Sequence, residues 1–343
     1  MKYWRLLFLV FLSVIMLQCS GVGEKQRKKH FLHKGNLAFK EKMFQEAIRY
    51  FRQAIEVDSS FAQAYNNLGI VYHKTGQLEK AEEAFNRCLF LDPEFSDAYY
   101  NRNNLFYELK QYRLALNDLD KIDDVSAEKG KIRFAQGLSY FGLRDYQSAK
   151  NAFEEALQLD SSNIEIYFNL ATTHLYLMEF DVAQEYTDLA YKLDERSPIA
   201  QNLFGMIQAE QQNYAAAIGY YDRGLELEYN NAYILNNRGF ALMKLDRLDE
   251  ALKDLNESIV IDPENPWAYR NKGIYYYETD KAEDAERLLR QCIEMDDTLP
   301  LSHYYLGMTY IKRGNGALAC QELVRSESLG DLEAYSSLQK YCD

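Results

Sequence analysis

One amino acid recurs along this chain at a fixed interval, and that interval constrains the fold more than any other feature. Alanine occupies nine positions spaced 34 residues apart, with no insertion or deletion between them. These positions are Ala47, Ala81, Ala115, Ala149, Ala183, Ala217, Ala251, Ala285 and Ala319. Periods of roughly 20 to 50 residues are typical of proteins in which each repeat packs only on its neighbours. The 343 residues therefore need no single large core.

The residues around each alanine predict two amphipathic helices per repeat. Glycine lies 12 positions before most of the alanines, and a large apolar residue lies four positions after most of them. In the second repeat, Leu68, Gly69 and Tyr72 share one helical face, and Ala81 and Phe85 share another. A larger side chain at the glycine or alanine position would push the two helices apart where they cross. We therefore predict an all-α fold of helix-turn-helix units.

Three repeats depart from this pattern. The third has Asn103 at the glycine position, and the fifth has Ala171 there and Thr187 at the large apolar position. The sixth has Gly224 at the position that Ala54, Ala156 and Ala190 occupy in other repeats. We expect the packing to differ locally at these places and the fold to be the same.

The second repeat carries a motif that resembles the tetratricopeptide repeat. Its residues are Leu68-Gly69-x-x-Tyr72, then Ala81, Phe85 and Pro93. The resemblance extends over residues 28–331 and implies nine repeats that form a right-handed α-solenoid (a superhelix). It also implies that the first helix of each pair lines a concave groove. Residues 332–343 are predicted to be a capping helix, with Leu332, Tyr335 and Leu338 on one face.

Four cysteines lie within the repeats and the capping helix. Cys320 and Cys342 fall on adjacent antiparallel helices at similar heights, so a disulfide bond between them is feasible. Cys88 and Cys292 occupy the same small-residue packing position six repeats apart and are expected to stay free.

The amino-terminal residues are predicted to direct export. Lys2 and Arg5 precede an apolar run over residues 6–17, which is too short to span a bilayer and fits a signal peptide over residues 1–18. The run ends at Cys19, an arrangement that resembles the lipobox of bacterial lipoproteins, in which this cysteine is acylated. The alternatives are an ordinary signal peptide or an uncleaved anchor. Residues 19–27 are predicted to be a tether, and the location to be the bacterial cell envelope, on the periplasmic side of the outer membrane.

Several functions are disfavoured by composition and motifs. The net charge of −13 repels nucleic acid, and no long basic stripe offsets it. No phosphate-binding glycine loop, zinc motif or nucleophile elbow is present. His30 and His33 lie one helical turn apart, yet no cysteine or carboxylate joins them as a metal ligand. We therefore predict no enzyme activity, no cofactor, no metal site and no small-molecule substrate.

Asparagine is the residue type that indicates a binding surface. It occupies five of the nine positions that lie two residues before the glycine position: Asn67, Asn101, Asn169, Asn237 and Asn271. The family resemblance implies that this position faces the groove, where an asparagine amide can donate to and accept from one peptide unit. Nearby aromatic residues are expected to add contact area, chiefly Tyr100, Phe168 and Tyr304. The alternative is that asparagine is merely tolerated on a helix surface.

One specialised form of the family is not matched. Repeat proteins that grip carboxyl-terminal carboxylates use two asparagines and three basic residues in their first three repeats. Asn36 and Asn67 match this set, but the basic positions hold Leu32, Asp97 and Asn101. Such a clamp is therefore not expected in this protein.

The sequence as a whole predicts a lipid-anchored protein-interaction scaffold that binds extended peptide segments of envelope proteins in its groove. Two alternatives stay open: a subunit that recruits a separate envelope enzyme, and a structural component that uses its convex face.

Overall fold

The computed structural model describes residues 23–122 and 128–342, and within these ranges the chain forms nineteen α-helices and no β-strand. The all-α prediction is therefore confirmed. None of the described helices is both long enough and apolar enough to cross a membrane. The chain divides into two compact units, and the division follows Ile166, in the first turn of a helix.

The first unit contains the first eight helices, which alternate between first and second helices of successive repeats. They are α1 (23–40), α2 (Phe44–Val57), α3 (Ala62–Lys74), α4 (Leu78–Leu91), α5 (Ser96–Glu108), α6 (Tyr112–Asp120), α7 (Lys129–Gly142) and α8 (Tyr146–Leu159). Helix α1 begins within the segment that the sequence predicts as a tether, so residues 23–27 are helical.

The second unit contains the remaining helices in the same alternation. They are α9 (Ile164–Tyr176), α10 (Phe180–Leu193), α11 (Pro198–Glu210), α12 (Tyr214–Leu227), α13 (Ala232–Lys244), α14 (Leu248–Ile261), α15 (Pro266–Glu278), α16 (Ala282–Met295), α17 (Ser302–Lys312), α18 (Gly316–Ser328) and α19 (Leu332–Tyr341). Helix α19 lies where the sequence predicts the capping helix.

Each helix pair is joined by the same tight turn, in which one residue has left-handed backbone angles. These residues are Lys42, Gly76, Lys110, Arg144, Met178, Gln212, Asp246, Asp280 and Gly314. The N–H of the next residue donates back to a carbonyl five residues earlier, for example from Gln77 to Tyr72 at 2.9 Å. This bond is the mark of a Schellman turn, which satisfies carbonyls that would otherwise be left free at the end of the first helix.

The two helices of a pair meet where the sequence predicts. All nine alanines are fully buried. At Gly205, an added Cβ atom would lie 2.3 Å from the ring of Tyr221, and at Gly137 one would lie 2.5 Å from the ring of Phe153. The glycines therefore make room for the large side chain of the second helix.

The departures from the repeat pattern are accommodated by local hydrogen bonds. The amide of Asn103 is buried and donates to the carbonyl of Ala115 at 3.1 Å. The buried hydroxyl of Thr187 donates to the carbonyl of Ala183 at 2.7 Å. A polar atom at a core position is tolerated because it has a partner.

First helices of successive repeats lie on the inner side of each stack. Helix α3 contacts α5 in the first unit, and α11 contacts α13, α13 contacts α15 and α15 contacts α17 in the second. Consecutive second helices make no comparable contact within the described part of either unit. The surface formed by the first helices, which we name the first-helix surface, is therefore the inner one.

The capping helix buries a different face from the predicted one. Leu332 is 88% exposed and Tyr335 is 58% exposed, whereas Ala334 and Ser337 are buried. Leu332, Tyr335 and the half-buried Leu338 lie on one face, as predicted, but that face is not the one that packs against the repeats. Small residues pack here because α19 lies close to its neighbours α17 and α18.

Candidate peptide-binding site

Asparagine side chains on the first-helix surface of the first unit are joined by hydrogen bonds. Asn101 Nδ2 donates to Asn66 Oδ1 at 3.0 Å, and Asn66 Nδ2 donates to Asn67 Oδ1 at 3.2 Å. Asn67 Nδ2 then donates to Asn36 Oδ1 at 2.7 Å. Three successive first helices, α1, α3 and α5, are thereby connected by one chain of amides. We name such a chain an asparagine ladder.

The second unit contains a second asparagine ladder of the same kind. Asn271 Nδ2 donates to Asn236 Oδ1 at 2.9 Å, and Asn236 Nδ2 donates to Asn237 Oδ1 at 3.1 Å. Asn237 Nδ2 donates to Asn202 Oδ1 at 3.0 Å. This ladder also begins with a cation, because Arg270 Nε and Nη2 both donate to Asn271 Oδ1, at 3.0 and 2.8 Å.

The ladders correct the expectation that these asparagines are simply exposed. Asn271 is only 2% exposed, and Asn67, Asn101, Asn169 and Asn237 are half-buried. Since first helices of neighbouring repeats approach closely, the amides reach each other across the gap. A half-buried amide in a ladder still has one N–H and one oxygen lone pair for another partner. The ladder amides are therefore structural links between neighbouring first helices.

A cavity of about 320 Å³ opens beside the ladder of the first unit. Its lining includes the amides of Asn66, Asn67 and Asn101 together with the ring of Tyr100. The remaining lining residues are Ile70, Ser96, Asp97, Ile122, Glu128, Lys131 and Ile132. Apolar walls with a few converging polar groups are the usual make-up of a ligand pocket.

The Tyr100 ring packs against a buried apolar cluster that includes Leu119 and Ile132. Desolvation by this cluster raises the pKa of Tyr100, so its hydroxyl stays protonated at neutral pH and is available as a donor. This placement supports the predicted contribution of Tyr100 to contact area.

The other two predicted aromatic residues differ from each other. Phe168 is only 9% exposed, so it presents little surface to a ligand, and the expectation that it adds contact area is wrong. Tyr304 is half-buried and packs edge-on against Tyr305, with ring centroids 5.2 Å apart. Tyr305 in turn packs edge-on against Tyr277 at 5.4 Å. Burial raises the pKa of Tyr305 to about 12, so the Tyr305 hydroxyl is protonated at physiological pH.

Sequence reasoning missed three residues that the structure adds to the site. Asn66 and Asn236 each stand one residue before a predicted asparagine and pass the hydrogen bond from one repeat to the next. The repeated Asn-Asn pairs 66–67 and 236–237 were the available signal. Arg270 is the third, and it has no counterpart in the first unit, where Tyr100 holds the corresponding position.

Two of the described cysteines form a disulfide bond at the capping helix, and two are free thiols within the repeats. Cys320 and Cys342 form a disulfide bond with Cα atoms 5.6 Å apart. Cys88 and Cys292 are free and buried, and desolvation raises their pKa values to about 12 and about 11. Both thiols are therefore protonated and poorly reactive.

Cys19, the predicted site of acylation, lies outside the described residues. Within the described residues, no group of metal-ligating side chains is placed to hold a metal ion.

The helix pairs, their common turn and the contacts between successive first helices define a helix-turn-helix repeat protein. Models of the tetratricopeptide repeat match residues 62–95, 130–163, 168–227 and 230–298, and a further TPR repeat model matches residues 35–76. The chain is built from tetratricopeptide repeats, as the sequence predicts, and forms a protein-protein interaction scaffold of the kind this family provides.

Solved structures share this fold at low sequence identity. The structure of Pseudomonas aeruginosa pilF is 20% identical, with a TM-score of 0.53, and the match covers 62% of this chain and 96% of that one. The hetero-tetramer Cut9-Hcn1 of the APC/C is 16% identical, with a TM-score of 0.59, and covers 87% of this chain and 59% of that one. The structure of the human IFIT1 dimer with m7Gppp-AAAA is 17% identical, with a TM-score of 0.58. The match covers 82% of this chain and 73% of the IFIT1 chain. No curated protein matches the chain significantly.

Proposed function

We propose that this protein binds an extended segment of a protein partner along its first-helix surface, with the asparagine ladders contacting the backbone of that segment. The observation that carries the proposal is the ladder of the first unit beside its cavity. Asn67 and Asn101 are held in place by their neighbours, so they lose little rotamer freedom when a peptide binds. Preorganised donors and acceptors favour binding because their ordering cost has already been met.

The chemistry of the cavity supports a peptide as the ligand. Amides match peptide groups without reading side chains, and Ile70, Ile122 and Ile132 offer apolar walls for one side chain of the segment. A neutral tyrosine hydroxyl adds a further donor. The cavity has one cation, Lys131, and that cation is paired with Glu128 at 2.8 Å.

A nucleic acid is the less favoured ligand, although a structure of the same fold has been solved with m7Gppp-AAAA. The net charge of −13 repels a polyanion. The charged residues that line the cavity of the first unit are Asp97, Glu128 and Lys131, which sum to a negative charge.

We further propose that the protein acts in a bacterial envelope, on the periplasmic side of the outer membrane, where lipid on Cys19 holds it. The support is the sequence itself: a positive start, a short apolar run and a cysteine at the end of that run. A disulfide bond between Cys320 and Cys342 is compatible with an oxidising compartment.

Photo-crosslinking in the organism of origin tests the proposed surface. A benzophenone amino acid replaces Tyr100 on the first-helix surface in one strain, and it replaces Phe90, which is 75% exposed on the second helix α4, in a matched control strain. Crosslinked partners are identified by mass spectrometry. We expect crosslinks from position 100 and few from position 90.

The same experiment separates the alternatives. Crosslinks from position 90 alone would refute the proposal and favour a structural component that uses its outer face. A crosslinked partner that is itself an envelope enzyme would identify this protein as a recruiting subunit.

A further inference from the structure

Arg270 is a buried cation without a carboxylate partner. Its side chain is only 9% exposed. It donates twice to Asn271 Oδ1 and once, through Nη1, to the carbonyl of Pro300 at 3.3 Å, and its guanidinium lies 4.5 Å from the centre of the Trp267 ring. It makes no ion pair with any residue that the structure describes. One N–H on each terminal nitrogen is left without an acceptor among the described residues.

A buried guanidinium without an anion is costly, so its presence requires a reason. Supporting the asparagine ladder is not a sufficient reason. The ladder of the first unit has Tyr100 at the corresponding position, and Asn101 still donates to Asn66 there. The cation is therefore dispensable for the ladder.

The surroundings of Arg270 place it on the first-helix surface of the second unit. The groups whose fields act on it are Cys292 in the second helix α16, and Tyr176, Tyr305 and Glu210 in the first helices α9, α17 and α11. The pKa of Glu210 is raised because surrounding protein desolvates it, and Arg270 offsets part of that rise. Glu210 is nevertheless an exposed residue, so its carboxylate still reaches water.

An aromatic cluster adjoins Arg270 through Tyr305, whose field acts on the guanidinium. Tyr277, Tyr304 and Tyr305 form an edge-on cluster, and burial raises the pKa values of Tyr277 and Tyr305. Aromatic rings around a cation lower the local dielectric, and the face of the Trp267 ring attracts the guanidinium without supplying the full negative charge of a paired carboxylate. An anion that enters this site gains a strong, directional partner.

We propose that Arg270 is a carboxylate-binding subsite, at which the bound segment places an acidic side chain or its carboxyl terminus. The proposal rests on the proposed function, since it names the chemistry that the second unit recognises in the same segment. The unused N–H groups of the terminal nitrogens donate to the carboxylate oxygens. The guanidinium suits this task because its planar fork matches a carboxylate.

Capture of synthetic peptides by purified full-length protein in detergent tests this subsite. Three pools of acetylated decapeptides, randomised at the other positions over residues that exclude aspartate and glutamate, are compared by quantitative mass spectrometry. The first has a central glutamate and an amidated end, the second a central glutamine and an amidated end, and the third a central glutamine and a free carboxyl terminus. We expect a carboxylate-bearing pool to be retained about 10-fold to 100-fold better than the second pool, as for charge-assisted hydrogen bonds. Preference for the first or the third pool identifies the source of the carboxylate.

Two variants assign the preference to this residue. Arg270→Gln should retain the three pools equally to within about twofold, whereas Arg223→Gln should keep the wild-type preference. Arg223 is an exposed arginine on the second helix α12 whose Nε donates to Gln201 Oε1 at 3.1 Å, so its replacement makes the same change in charge at a residue outside the Arg270 site. Circular dichroism checks that both variants fold. If Arg270→Gln does not fold, Arg270→Lys replaces it and should show a weakened preference, because an ammonium lacks the planar fork.

The outcomes separate the two proposals. Equal retention of all three pools by the wild-type protein would overturn the carboxylate subsite and leave peptide binding intact. Retention of no pool would overturn the proposed function as well. An unchanged preference in the folded Arg270→Gln variant would assign the carboxylate to another residue and refute the role of Arg270.

Discussion

Replacement of Asn271 by alanine is expected to destabilise the second unit far more than replacement of the asparagine at the other end of the same ladder. Asn271 is 2% exposed, accepts two hydrogen bonds from Arg270 and donates one to Asn236. Alanine leaves the guanidinium buried with fewer acceptors and removes the donor to Asn236. Loss of the two hydrogen bonds from Arg270 and the one to Asn236 should together lower the free energy of unfolding by about 3 to 4 kcal/mol.

The matched control is Asn202→Ala. Asn202 is half-buried, accepts one bond from Asn237 at 3.0 Å and has a weak contact with the Met206 sulfur at 3.5 Å. Because water can replace these partners, Asn202→Ala should lower the free energy of unfolding by only about 1 kcal/mol. The two substitutions remove the same side chain from the same unit and differ chiefly in burial and in the charged partner.

Trp267 makes a local assay possible. The chain has two tryptophans, so replacing Trp4 by phenylalanine leaves Trp267 as the only one, with the Arg270 guanidinium beside its ring. Urea unfolding of each variant is then followed by tryptophan fluorescence and by far-ultraviolet circular dichroism. Coincident transitions show that a single free energy of unfolding applies.

A second substitution tests the physical reason. Arg270→Met in the Asn271→Ala background removes the cation that was left with too few acceptors, so about 1 to 2 kcal/mol should be regained. Equal costs for the two alanine variants, to within about 0.5 kcal/mol, would refute the reasoning. So would a double variant that is less stable than Asn271→Ala alone.

Four other outcomes are expected. Cys19→Ala should abolish incorporation of labelled palmitate and release the protein from the membrane fraction, and persistent labelling would exclude acylation at this residue. Alkylation of denatured protein without reductant should leave Cys320 and Cys342 unmodified by intact mass, whereas their modification would disprove the disulfide bond. Burial alone would lower the pKa of His303, but its hydrogen bonds to the Glu322 carboxylate and the Asp297 carbonyl raise that pKa above the usual value. The free energy of unfolding lost in His303→Gln should therefore be largest below about pH 6, and the loss should shrink as pH rises through the folded-state pKa. Met178→Gly should raise stability by about 0.5 to 1 kcal/mol because Met178 has a φ of 60°, and an unchanged or lower melting temperature would contradict this.

The repeat architecture is predictable because it depends on packing at a few positions. An alanine or glycine at a helix crossing leaves room for Phe153 or Tyr221, and any sequence with that spacing meets the same steric requirement. The turns were not predictable from residue type. Lys42 and Met178 do not favour left-handed angles, but the hydrogen bonds around the turn impose them.

The candidate site was predictable in position and not in geometry. The spacing placed Asn237 and Asn271 on the first helices, but burial depends on how closely those helices approach, which a periodic pattern does not specify. The link through Asn236 joins residues 35 positions apart, so it depends on the register between neighbouring repeats. The face that the capping helix buries was mispredicted for the same reason, since Ala334 packs where Leu332 was expected.

The common turn has a genetic consequence. Nine turns share one backbone geometry at intervals of 34 residues, and seven of the nine do so without glycine. Recombination between two turns of the same unit would add or remove whole helix pairs and restore an identical junction. Such an exchange needs no matching side chain at the turn, because hydrogen bonds define it. The length of this protein can therefore change in steps of one repeat while each remaining pair keeps a neighbour of the same kind.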